Sequence, residues 1–130
     1  PTDDIREMIM PINKKFKIKE LIAQCKYYAS IVKEKITLEY VMLRGVNDSI
    51  VCAKNLVKLM AQFPCKVNLI EFNPWPGVQY LPTERIEIEK FGKIIQDAGY
   101  VATIRRSRGQ DILGACGQLR TESIKKIIRL

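Results

Sequence analysis

Short β-branched runs alternate with stretches in helical period, and this order restricts the chain more than any single residue does. "ITLEYVML", residues 36 to 43, "KVNLIEF", 66 to 72, and "YVATIRR", 100 to 106, read as strands. Ahead of the first, Ile18, Leu21, Ile22, Cys25, Ala29 and Val32 recur at helical spacing and predict one buried stripe over about four turns. "RGVNDS" is a turn, with Asp48 or Ser49 capping a helix that runs to about Gln62 and stops at Pro64. "NPWPGVQYLPT" is a proline-rich loop, and Thr83 is the expected cap of a helix ending at Gly99. Thr2 with Asp3, Asp4 and Glu7 predicts a short opening helix closed by Pro11. A loop at 111 to 120 and a short basic helix from about Thr121 complete the order. Helices that join strands in this way imply parallel pairing with right-handed crossovers. The expected class is α/β, as an open sheet or as part of a (β/α) barrel.

Ligand groups in such folds gather on the loops leaving the carboxyl ends of the strands. Here those loops are "RGVNDS", "NPWPG" and "RSRGQDILGACGQL", so all three unusual stretches are expected on one edge.

At 130 residues the chain suits one domain, 1–130, with one core. Its 47% hydrophobic and 28% charged residues exclude a disordered composition. No apolar run approaches the roughly 18 to 20 residues that span a bilayer, so no membrane partner is expected. The opening "PTDDIREMIM" has no leader pattern and enters a helix at once, which reads as an excerpt of a longer chain. The formal charge is +8, and residues 105 to 130 hold seven Lys or Arg against two acids. Such a balance fits a polyanion, through counterion release, or a solvated basic surface.

Cys25, Cys52, Cys65 and Cys116 form no C-x-x-C pair, and the sequence contains no histidine. A short-spaced zinc site and an imidazole general base are therefore excluded. Reduced thiols in a cytoplasmic protein fit better than a secreted disulfide framework. Cys25, Cys52 and Cys65 fall on helices or at a strand entry, as packed thiols do. Cys116 differs: Gly114, Ala115 and Gly117 surround it with almost no side chain. It is either one more small buried hydrophobe or a thiol presented on a loop.

"EYVMLRGVNDS", "PCKVNLIEFNPWPG" and "TIRRSRGQDILGACGQL", in this order, resemble the radical SAM adenine-C2 methyltransferases of large-subunit ribosomal RNA and transfer RNA. "DDIREMIMPINKKFKI" is similar to the segment after an earlier barrel strand of that family, so the resemblance covers nearly the whole chain. It implies the C-terminal part of a radical SAM partial (β/α) barrel, with a methyl-carrier loop at about 107–120. By the same resemblance Cys116 is the cysteine methylated on sulfur by one S-adenosylmethionine. A second S-adenosylmethionine, cleaved at a reduced [4Fe-4S] cluster, gives a radical that activates the S-methyl group for addition to adenine C2. An upstream cysteine then resolves the adduct through a disulfide with Cys116, and the cluster's C-x-x-x-C-x-x-C ligands also lie upstream. The isolated 130 residues are accordingly expected to be inactive.

The resemblance further makes Asn73 a contact for S-adenosylmethionine, a role its amide suits through two donors and an acceptor; taken alone, Asn73 also fits a turn before proline. Arg105, Arg106 and Arg108 stand where RNA would approach. Trp75 is expected to pack over the barrel mouth. "NDS" at 47 to 49 is read as a helix cap. Two alternatives stay open: the adenine-C8 methyltransferases of antibiotic resistance, against which "NPWPG" speaks, and a non-catalytic RNA-binding module. A piece of an incomplete barrel would also expose a strand edge and self-associate.

Overall fold

The structure, a computed structural model, describes residues 1–105. Its elements are α1 (Asp3–Ile9), a 3-10 turn (Pro11–Lys14), α2 (Ile18–Val32), β1 (Ile36–Met42), α3 (Ile50–Met60), β2 (Cys65–Glu71), α4 (Arg85–Asp97) and β3 (Ala102–Arg105). The strands form one parallel sheet in the order β1-β2-β3. Ile36 stands opposite Cys65 and Met42 opposite Glu71, so β1 and β2 run in step along their whole length. The α/β class and parallel pairing expected from the element order are what the chain forms.

Strand alternation decides where the core lies. Val67 and Leu69 of β2 and Met42 of β1 face α3 and α4 and are buried. The helices meet them with Ala53, Leu56 and Met60 from α3, and Ile88, Phe91 and Ile95 from α4, at three- and four-residue spacing. Each large aliphatic or aromatic side chain among them contributes about 2 kcal/mol by leaving water. The Tyr40 and Phe91 rings pack at 5.4 Å between the same layers.

Several local expectations change. Thr2 is the N-cap of α1 but makes no side-chain bond there. The α2 stripe is narrower than its spacing predicts: Ile22 and Ala29 are buried, whereas Leu21 and Val32 are exposed. The N-cap of α4 is Glu84 rather than Thr83, because the Thr83 hydroxyl donates to Asp48 Oδ2 at 3.0 Å instead. Gly99 follows α4 at φ 88°, the left-handed conformation of a helix-terminating glycine. β3 starts at Ala102, two positions later than the sequence pattern. The loop at 111 to 120 and the basic helix beyond it lie outside the described residues.

A second knot forms before α2. Asn13, fully buried, donates to Asp3 Oδ1 at 3.0 Å and to the Asp3 carbonyl at 3.2 Å, and accepts from Arg6. Asp3 also accepts the Ile18 N–H at 2.9 Å. Lys17, the residue at the N-cap of α2, makes no such bond, so α2 is capped from α1.

Candidate active site

The carboxyl edge of the sheet is built from hydrogen bonds that sequence spacing alone does not show. Asn47, buried beyond the end of β1, accepts the Leu43 N–H at 2.8 Å and donates to the Val41 carbonyl at 2.8 Å. Its own carbonyl accepts from the Tyr40 hydroxyl at 2.7 Å, and burial pushes that phenol far above its ordinary range. Asp48 accepts the Gly45 N–H at 3.0 Å, with Gly45 at φ 68°. Ser49 Oγ accepts the Cys52 N–H at 3.2 Å and is the cap of α3. "NDS" is therefore a cap, as read, and Asn47 and Asp48 add the stitching of the loop. The following loop returns to the first at an antiparallel bridge between Leu43 and Pro82. The Thr83–Asp48 bond fastens the two together.

Asn73 sits two residues past β2 and is 8% exposed. Its Nδ2 is buried with no partner among the described residues. A buried amide donor left unpaired costs about 1 to 3 kcal/mol, so such a group points to a ligand that completes it. Phe72 and Trp75 meet edge-on at 5.5 Å beside it, and Trp75 is half-exposed.

The face of the sheet turned away from the helices is mostly polar, with Val41 and Ile70 paired as its apolar residues toward the carboxyl end. Thr37, Glu39, Asn68, Thr103 and Arg105 alternate with the core residues and are exposed or half-buried. Asn68 Nδ2 donates to Glu39 Oε1 at 2.9 Å, with Arg105 3.9 Å from the same oxygen. Parallel strands are ordinarily apolar on both faces. Sequence reading passed over Glu39 and Asn68; polar residues at alternate positions in strands expected to be buried on both faces are the signal that marks them.

Of the residues expected at the site, Asn73 and Arg105 stand at the carboxyl edge, Arg105 as the last residue of β3 and 64% exposed at its side chain. Arg106, Arg108 and Cys116 lie outside the described residues. Cys25, Cys52 and Cys65 are free thiols. Burial pushes the Cys25 and Cys65 thiols up, which keeps them protonated and suits packing. Among the described residues no group of three or more His, Cys, Asp or Glu could hold a metal, so an iron–sulfur cluster has no fitting ligands there. The unpaired Asn73 amide fits a polar organic ligand such as S-adenosylmethionine. Two shallow clefts of about 430 and 470 Å³ flank α2 and reach none of these edge residues. No helix among the described residues is long and apolar enough to cross a membrane.

No family model matches the chain. It is 54% identical over 123 residues to the dual-specificity RNA methyltransferase RlmN of Gluconobacter oxydans, covering 94% of this chain and 30% of that protein. With the RlmN of Mesorhizobium japonicum the identity is 53% over 131 residues, 98% of this chain and 32% of that one. The chain thus spans about a third of the length of the curated relatives it matches. A radical SAM methyltransferase from Sphaerobacter thermophilus superposes with a TM-score of 0.87 at 42% identity, over 91% of this chain and 35% of that one. A domain of pyruvate-formate lyase-activating enzyme from Bacteroides vulgatus shares the fold at a TM-score of 0.61 and 14% identity. In sequence and in fold, nearly the whole chain is similar to about a third of these radical SAM methyltransferases.

Proposed function

We propose that this chain is part of an enzyme that methylates C2 of adenine in large-subunit ribosomal RNA and transfer RNA, with Cys116 as the thiol that carries the methyl group. The observation that carries the reading is 54% identity across 94% of the chain to a protein named for RNA methylation. The choice of adenine C2 over C8 comes from the "NPWPG" signature.

C2 of adenine is not nucleophilic, so direct displacement of a methyl group by that carbon fails. A thiol that first takes the methyl group and then presents it to the base avoids the difficulty. Gly114, Ala115 and Gly117 flank Cys116 with almost no side chain, a composition that suits such a thiol. S-adenosylmethionine with a [4Fe-4S] cluster would supply the methyl group and the hydrogen-abstracting radical. Asn73 would hold S-adenosylmethionine by donating its Nδ2–H, which has no partner among the described residues. Arg105, Arg106 and Arg108 would receive RNA phosphates. The cluster ligands and the cysteine that releases the product belong to the remainder of a full-length enzyme.

The test is Cys116→Ala in the full-length polypeptide, scored for RNA methylation, RNA affinity and melting temperature. Methylation at background, with affinity retained and stability within about 1 kcal/mol, is the expected result. Residual methylation overturns the carrier role. A product methylated at C8 moves the enzyme to the antibiotic-resistance branch, and RNA binding by a wild type that never methylates leaves a non-catalytic module.

A further inference from the structure

The segment ahead of α2 is held more firmly than a connector needs. Asn13 is fully buried and tied to Asp3 and Arg6, Arg6 also donates to the Phe16 carbonyl at 2.9 Å, and Phe16 N–H bonds back to the Ile12 carbonyl at 3.1 Å. What this scaffold presents is "KKFKIK", residues 14 to 19. Phe16 is 49% exposed, an apolar ring left half in water. Lys15 Nζ lies 5.3 Å from its ring centroid. Lys17 is compensated by Glu7 at 2.8 Å. Lys14 and Lys15 form no ion pair among the described residues, and Lys19 extends the basic surface onto α2.

Topology places this segment. Lys33, Glu34 and Lys35 alone separate α2 from β1, and Lys33 reverses the chain at φ 57°. α2 therefore runs back along the sheet, and the residues before it lie toward the carboxyl edge that carries Asn73 and Arg105. An exposed ring with adjacent cations matches the chemistry of single-stranded RNA, whose bases stack on aromatic faces while phosphates neutralise lysines.

We infer that Lys14, Lys15 and Phe16 form an RNA contact on the rim of the active site, separate from the arginines after β3; this rests on the proposed RNA methyltransferase function. Phe16 takes a base, and the two lysines take the flanking phosphates. The rigid backbone beneath them means that the loop is ordered before RNA arrives, so little entropy is lost on contact.

The test uses the full-length polypeptide and an adenine-containing single-stranded RNA oligonucleotide, with affinity measured by fluorescence anisotropy across a salt series. Lys14→Ala with Lys15→Ala should flatten the slope of log affinity against log salt by roughly 1.4, at about 0.7 per phosphate contact. Phe16→Ala should weaken binding about tenfold with the slope unchanged. Lys26→Ala with Lys35→Ala, of equal charge change but farther along α2 and beyond it, is the control and should leave both nearly as in the wild type. Equal flattening by both lysine pairs would overturn the inference, because the effect would then be one of net charge. A steep wild-type slope left intact by all the loop variants would also overturn it, while the RNA reading itself stood. A wild type without salt-dependent RNA binding would end both.

Discussion

The Asp3 carboxylate accepts the main-chain N–H of Ile18, fifteen positions along the chain, at 2.9 Å. A residue whose sequence position marks it as a first-turn acid of α1 is thereby also the cap of α2. The Ile18 N–H and Asn13 hold the Asp3 carboxyl below its ordinary value of 3.8. A depressed carboxylate adds stability that is present above its unfolded value and lost as pH falls through its folded one. Asp3→Asn should therefore lower the melting temperature at neutral pH and flatten the loss of stability below about pH 3.8. Thermal melts of both proteins from pH 7 to pH 2.5 check this; parallel acid limbs would count against the cap.

Asn47 and Thr83 both serve the carboxyl edge, at different cost. Asn47→Ala leaves the Leu43 N–H and the Val41 carbonyl without their bonds in a buried place, and should cost about 3 kcal/mol. Thr83→Val removes one bond to a half-buried carboxylate and should cost about 1 kcal/mol. Urea unfolding separates the two. Equal losses would mean that the loop relaxes around Asn47.

Asn73 behaves in the opposite way. Its Nδ2 has no partner among the described residues, so Asn73→Ala removes an unpaired donor and should change stability by less than about 1 kcal/mol in either direction. In the full-length polypeptide the same variant should bind S-adenosylmethionine about tenfold more weakly, a loss of about 1.4 kcal/mol. Unchanged affinity by equilibrium dialysis would return Asn73 to a turn residue.

β1 and β3 each have an outer edge that pairs with no described strand. Leu21, Tyr28 and Ile31 add exposed apolar surface on α2. Unpaired edges and apolar faces invite pairing with a second copy. The isolated 130-residue chain should sediment as dimers or larger species at high concentration, and a clean monomer would refute this.

The strands and long helices were legible because their signals are local. "ITLEYVM" and "CKVNLIE" are β-branched runs that stop where the turn residues begin. The misreadings arise from what lies far along the chain, a distant partner present in one case and absent in another. Thr83 looks like a cap until Asp48, thirty-five positions away, takes its hydroxyl. Leu21 and Val32 keep helical spacing but find no described neighbour to cover them. Asn73 is singled out by its motif, whereas Glu39 and Asn68 are not, because their meeting depends on strand register.

The stitched rim also determines how the edge responds in time. Leu43, Gly45 and Cys52 give their amide hydrogens to Asn47, Asp48 and Ser49, so these loop amides should exchange with solvent on the timescale of the core strands rather than of ordinary turns. Two loops fastened by the Thr83–Asp48 bond should move together. A ligand bound beside Asn73, if Asn73 serves as proposed, would meet a rim already ordered, and differences in affinity between ligands would then show in how fast they leave rather than in how fast they enter.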